Sequence, residues 1–277
     1  MTLASHATPP CPASLSLSRP ARGVFGPPLA VALAFALSAC GATPGVGTPA
    51  AREPSASSGA DASRTAYDLG TRALDAGDFA EAVVAFTWAL DDRPDWEEAR
   101  LNRGLAWASL GRLEQARPDL HSAWLRAPSD ARAAYHYAWL LRASGEVREA
   151  LNVLDGARGE GLLDERLFLS ALAWLDLEEP ERASDALASI TSSITPEIRC
   201  AHARVAELRG DNDEATRRYE EVLDEAPHHL GALYNLSALL ASSDPARAAV
   251  LLDLFLQEAP ADDIDRPSAE ARRGRLP

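Results

Sequence analysis

Six histidines, three cysteines and 41 acidic residues are the raw material for chemistry in this 277-residue chain. His228 and His229 are adjacent, so on one helix they would point about 100° apart and chelate poorly. They follow Pro227 and are expected in an exposed turn. His121, His136 and His202 fall in separate segments with no metal-ligand spacing. Cys200 reads as a small helix residue rather than a reactive thiol. Pairs such as Asp91-Asp92 and Glu220-Glu221 read as solvated helix faces. The chain has no lysine, its 27 basic residues all being arginine. That excludes a phosphate-loop lysine, a Schiff base and pyridoxal phosphate attachment. Neither a G-x-S-x-G elbow nor an H-E-x-x-H pair occurs. No metal or cofactor is expected, and an enzyme with an unrecognised site is the weakest functional reading.

The elements that would carry these residues repeat. Gly70, Gly77, Ala82, Phe86, Ala89 and Pro94 return 34 residues later as Gly104, Gly111, Ala116, Leu120, Ala123 and Pro128. Ala203, Gly210, Ala215 and Tyr219 return before Pro227. A period of this length describes an array of supersecondary units. Each unit reads as two helices of about 13 residues, or about 20 Å each. Glycine at the turn accepts a left-handed backbone, small residues let the paired helices approach, and proline stops the second helix. Hydrophobic residues make up 47% of the chain, enough for a continuous core.

The pattern resembles the tetratricopeptide repeat (TPR). That resemblance predicts an all-α, right-handed α-solenoid of about six helix-turn-helix units over residues 63–260, divided as 63–96, 97–130, 131–163, 164–195, 196–229 and 230–260. Unit four departs most, with Glu178-Glu179-Pro180 replacing the glycine turn. Gly156, Gly159 and Gly161 predict an early end to the second helix of unit three. The junction is read either as a hinge, cleaved near Arg158, or as a longer loop. The resemblance also places partner binding on a concave face built from each first helix. Carried onto this chain, it selects Tyr67, Leu101, Leu105, Tyr135, Trp139, Arg142, Phe168, Leu172, Arg204 and Tyr234, with Leu74 and Leu175 beside them. Arg142 and Arg204 are expected to pair a partner's acidic groups, while Phe168 and Leu172 could instead belong to the core. The lysine and asparagine of a terminal-carboxylate clamp are absent from the matching positions.

Arg19 and Arg22 are the only charged residues before Cys40. Residues 29–37 form a nine-residue apolar run, followed by Ser38-Ala39-Cys40-Gly41. A positive start, a short apolar core and small residues at its exit read as an export signal over residues 1–39. Nine residues fall short of the about 20 that a spanning helix needs. Leu37-Ser38-Ala39-Cys40 resembles the lipobox of bacterial lipoproteins, which implies lipidation at Cys40, the alternative being an ordinary signal peptide. Gly41 after the cysteine favours, by that resemblance, the outer membrane. The true translation start is expected near Leu15 or Leu17. Residues 41–62, rich in Gly, Ala, Pro, Ser and Thr, read with Cys40 as a lipidated, disordered linker reaching about 25 Å. Cleavage removes Cys11 and leaves Cys200 as the one free thiol, so no intrachain disulfide is expected.

Residues 261–277 read as a polar tail. The helix before it, 246–258, carries Val250, Leu251, Leu252, Leu254, Phe255 and Leu256, apolar on more than one side where a terminal repeat needs a polar face. This predicts self-association or partner docking through it, unless Ile264 and the tail fold back over it. The net charge of −14 makes nucleic acid a poor partner. The functional reading is an outer-membrane, periplasm-facing lipoprotein whose repeats scaffold an envelope assembly through envelope proteins or peptide segments, with the membrane met only through the lipid. The layout is similar to that of type IV pilotins and Tad-pilus assembly lipoproteins. An adaptor organising peptidoglycan enzymes is the second reading.

Overall fold

A computed structural model describes residues 59–157, 161–192, 194–261, 263 and 265–277. Cys40, the export segment, most of the linker, Arg158, Gly159 and Ile264 lie outside the described residues, and with them the expectations that rest there.

The described chain is helical throughout and divides at Pro128 into two compact units. The first holds α1 (Gly59–Ala76), α2 (Phe79–Asp92), α3 (Glu97–Ser109) and α4 (Leu113–Arg126). The second holds α5 (Ala131–Ala143), α6 (Val147–Gly156), α7 (Leu163–Asp176), α8 (Pro180–Ala188), α9 (Pro196–Leu208), α10 (Asn212–Glu225), α11 (Leu230–Leu240), α12 (Pro245–Glu258) and α13 (Arg266–Arg273). From α1 to α12, odd and even helices pack as antiparallel pairs, and within each unit one pair leans on the next. This is an all-α TPR solenoid.

The turn inside each of the first five pairs is one motif used repeatedly; the α11–α12 turn, with the Asp244 N–H on the Leu240 carbonyl and no positive φ, is the exception. After α1, the Gly77 N–H donates to the Leu74 carbonyl (3.1 Å) and the Asp78 N–H to Ala73 (2.8 Å). These two bonds satisfy carbonyls that a helix end would leave open, and they require φ > 0 at the first residue past the helix. Gly77 has φ 79° and Gly210 φ 80°. In the fourth pair Glu178 takes the same place at φ 57°, with the Glu179 N–H still donating to Trp174 at 2.9 Å. The turn geometry is kept there even though its preferred residue is lost.

Close approach explains the small residues. A Cβ on Gly70 would lie 2.7 Å from the Phe86 ring, and one on Gly104 would lie 2.8 Å from Leu120. Phe86, Leu120, Tyr219 and Leu236 are fully buried, each contributing about 2 kcal/mol through its apolar area. Alanines 82, 89, 99, 106 and 116 fill the remaining space of the first unit. Helix starts are set by side-chain acceptors: Asp130 takes the Arg132 N–H (2.8 Å), Asp211 that of Glu214 (3.1 Å), and Asp244 that of Arg247 (3.0 Å). Pro180, Pro196 and Pro245 each occupy a first turn, where the missing donor costs nothing.

Two second helices are short. α6 has 10 residues and α8 has 9, against 14 in α2, α4, α10 and α12. Where α6 stops at Gly156, a cleft of about 480 Å³ opens against α7, lined by Leu151, Leu154, Leu163, Leu167 and Trp174 among others.

The C-terminal tail corrects one expectation. Residues 266–273 form α13, whose Ala269 is buried with Leu233, Tyr234, Leu252, Phe255 and Ala259, and Leu276 packs beside them. Arg266 Nη1 donates to the Leu256 and Ala259 carbonyls (2.9 and 2.8 Å), closing the end of α12. The apolar side of α12 expected to seek a second copy is thus largely covered by the chain's own tail. Val250 stays 66% exposed, a single side chain rather than a patch.

Candidate partner-binding face

In the first unit, one residue nominated from the sequence is already engaged. Tyr67 stacks on Trp96 with ring centroids 4.4 Å apart and planes 21° from parallel. Arg93 lies 4.2 Å over the other ring of that stack, Trp96. The Asn102 amide donates to the Tyr67 hydroxyl at 3.1 Å. Burial, with the Glu98 charge adding, holds that phenol above its ordinary pKa. Leu101 is 5% exposed and belongs to the core, while Leu74 and Leu105 are half-buried.

In the second unit, Tyr135, Trp139 and Arg142 recur at helical spacing along α5, and Phe168 and Leu172 follow on α7, which packs against it. Arg142 is paired: its Nε lies 2.6 Å from Asp176 Oδ2 and its Nη2 donates to Oδ1 at 3.1 Å. Burial lifts the Asp176 carboxyl above its ordinary range even with Arg142 drawing it down. Arg204, 3% exposed, pairs with Glu207, and Glu207 also accepts the Tyr219 hydroxyl at 3.0 Å. Neither arginine is therefore free for a partner's acidic groups, contrary to the sequence expectation.

Leu172, 5% exposed, packs with Leu175, Ala183 and Leu187, and half-buried Phe168 borders that cluster. Tyr234, also 5% exposed, lies 5.4 Å from Phe255. The Arg272 guanidinium of α13 sits 4.6 Å over its ring and donates to its hydroxyl at 3.3 Å. Leu101, Leu172, Arg204 and Tyr234 accordingly leave the list of surface residues, because neighbouring helices have filled the space in front of them.

What stays open is the α5 segment. Tyr135 and Trp139 are half-buried, and among the described residues neither the Tyr135 hydroxyl nor the Trp139 indole N–H has a hydrogen-bond partner. Burial pushes the Tyr135 phenol up to about 12, the Glu165 charge adding and Arg142 opposing. The hydroxyl is thus a neutral donor at any physiological pH. Tyr135 and Trp139 stand one helical turn apart on α5, each half-buried, with a donor that no side chain or backbone group among the described residues takes up. Among the described residues no three His, Cys, Asp or Glu side chains converge as metal ligands.

Trp96 in the first unit and Asp176, Glu207 and Arg272 in the second engage the nominated Tyr67, Arg142, Arg204 and Tyr234, and were not themselves nominated from the sequence. Arg142 and Asp176 stand 34 residues apart, one repeat period. Opposite charges at that spacing on successive first helices were the available signal.

Residues 67–131 and 108–175 each match the tetratricopeptide repeat family. No curated protein matches the chain. Among solved structures, a tetratricopeptide repeat protein from Parabacteroides merdae aligns with 20% identity and TM-score 0.58, over 72% of this chain and 81% of the other. Pseudomonas aeruginosa pilF aligns at 18% and 0.57, over 76% and 97%. PilW, a type IV pilus biogenesis factor, aligns at 16% and 0.59, over 70% and 92%. At these identities the likeness is one of fold. Residues 67–175 thus carry tetratricopeptide repeats, and the solved structures extend the likeness of fold beyond them.

Proposed function

We propose that the chain is an outer-membrane lipoprotein, lipidated at Cys40 after loss of residues 1–39, whose TPR array scaffolds an envelope assembly at the periplasmic side. The observation that carries the scaffold reading is the open Tyr135–Trp139 pair, because aromatic anchors with unmatched polar edges are the kind of group that interfaces use. The chain acts in this reading by binding, not by catalysis. Lipidation rests on the 29–41 pattern, and several acyl chains anchor stably where one would be marginal. The narrower role, in pilus or secretin assembly, is supported by the shared fold with pilF and PilW.

Two measurements on the full chain in its own envelope test these parts separately. A photocrosslinker at position 139 should give a defined adduct with an envelope protein, and Tyr135→Ala should abolish it. Adducts arising only from other faces would end the scaffold reading of this surface. Cys40→Ser should abolish labelling by a radioactive fatty acid and release the chain from membranes, whereas a labelled or membrane-bound variant would refute the anchor.

A further inference from the structure

The cleft between α6 and α7 shares no lining residue with the Tyr135–Trp139 pair. Its volume of about 480 Å³ falls in the range of small-molecule sites, about 300–1,000 Å³. α6 ends at Gly156 after 10 residues, where α2 runs for 14, and the space it vacates is not refilled. Leu151, Leu163, Leu167 and Trp174 wall that space. Leu163 is 54% exposed at its mouth. Leu162 before it holds φ 49°, a left-handed backbone that is costly for a residue with a Cβ.

A cation stands in this apolar setting. Arg166 lines the cleft, and its Nη1 donates to the Ala157 carbonyl just past the end of α6, which fixes the guanidinium in place. Its Nε is shielded from solvent without an acceptor. Its Nη2 has no partner among the described residues and stays in contact with solvent. An unmet guanidinium donor is costly, and the planar fork is shaped for a carboxylate. The neighbouring acids do not supply one. Asp164 is taken up by the Thr191 and Ser192 N–H groups (3.1 and 2.8 Å), and Glu165 bears on Tyr135 of α5. Asp155 lines the cleft but is exposed, and no ion pair joins it to Arg166. Arg182 adds a second positive charge, 4.5 Å over the Trp174 ring. Two cations against one rim acid favour a ligand with a single negative charge, and Asp155 weighs against a doubly charged phosphate.

From these features we infer that the α6–α7 cleft is a binding site for a monocarboxylate with an apolar body, such as a medium-chain fatty acid. The carboxylate accepts from the Arg166 guanidinium, and the body lies along Leu163, Leu167 and Trp174. This site is separate from the partner-binding surface and does not depend on that reading.

The test uses the ¹⁵N-labelled full chain carrying Cys40→Ser, so that no acyl group is attached. It follows the indole signal of Trp174, identified by its loss in Trp174→Phe. The probes are octanoate, octanol and octyltrimethylammonium, each below its micelle-forming concentration. Octanoate should move the Trp174 signal saturably. Octanol and octyltrimethylammonium should bind at least about tenfold more weakly, the loss of one charge-assisted hydrogen bond. Arg166→Gln should weaken octanoate by the same factor and leave octanol unchanged, which shows that the cleft is intact. Asp155→Asn removes an exposed charge and should tighten octanoate about twofold without affecting octanol. An unmoved Trp174 signal with octanoate, octanol binding as tightly as octanoate, or full octanoate affinity in Arg166→Gln overturns the inference. Should Arg166→Gln unfold because the end of α6 is no longer closed, Asp155→Asn decides: unchanged octanoate affinity there overturns it. None of these outcomes bears on the position-139 adduct, so the two readings stand or fall separately.

Discussion

Gly70 owes its place to the Phe86 ring, and the consequence is measurable. Gly70→Ala would press a methyl group to within 2.7 Å of a fully buried aromatic in the tightest pair of the first unit. Overpacking of this kind costs about 1–3 kcal/mol, read as a lower urea midpoint with unchanged slope. Glu178 presents the opposite case. It holds φ 57° at a turn where a left-handed backbone is unfavourable for a residue with a Cβ, and it is exposed, so nothing else recommends the side chain. Glu178→Gly should raise stability by about 0.5–1 kcal/mol, since relief of the backbone outweighs the extra freedom gained by the unfolded chain. A loss of stability would mean that the Glu178 side chain makes a contribution of its own. The same turn, read as sequence, showed only that glycine was missing. That its hydrogen bonds survive could not be read, because a non-glycine residue in this conformation leaves no compositional mark.

The elements of the second unit are joined by groups that titrate and pair. His229 Nδ1 accepts the Ala232 N–H at 3.1 Å as the start of α11, which only a neutral imidazole can do. Burial holds His229 below its ordinary pKa against the pull of Glu197, and it lowers His202, with Arg218 adding. His136 is pushed down to about 4 by burial, with Arg132 adding and Asp130 opposing. In each case the folded pKa lies below the unfolded value, so the unfolded chain binds protons first. Stability is then full above about pH 6.5 and declines as pH falls from there toward 4. Thermal melts across that window should show the fall, and His229→Asn, which keeps an acceptor at the helix start, should flatten part of it. An unchanged pH profile in that variant would remove His229 from the account. The Arg142–Asp176 pair is a different kind of joint. With Asp176 lifted by burial, the pair fixes how α5 meets α7 more than it stabilises the contact. Asp176→Ala strands a guanidinium and should cost about 2 kcal/mol, while Arg142→Met with Asp176→Leu should come out near neutral, as urea midpoints would show. The spacing of small residues made the helix pairs legible in the sequence. It could not say which groove positions a neighbour would cover, because Trp96 and Arg272 reach Tyr67 and Tyr234 from outside the first-helix pattern.

At the scale of the whole molecule, the tail decides how the array ends. Only Ala269 of α13 is buried, so the helix has no apolar periodicity for a sequence reading to find. It exists because Arg266, Arg272 and Arg273 bond to α12 and α11. A chain truncated after Pro260 would uncover Leu233, Tyr234, Leu252 and Phe255, and it should melt lower and associate with increasing concentration, as light scattering would show. A truncated chain that stays monomeric would mean that α12 is self-sufficient. The short helices α6 and α8 carry a further consequence. Each pair touches chiefly its neighbours, so a pull on the two ends passes through every junction in series, and the junction with the least interlocking surface gives way first. In the second unit that is the stretch from α6 to α8, where the helices of 10 and 9 residues leave a cleft beside Leu163. A protein tethered at one end and gripped by a partner at the other would lengthen there under load, leaving the α9–α12 pairs folded as a spring's stiffer coils.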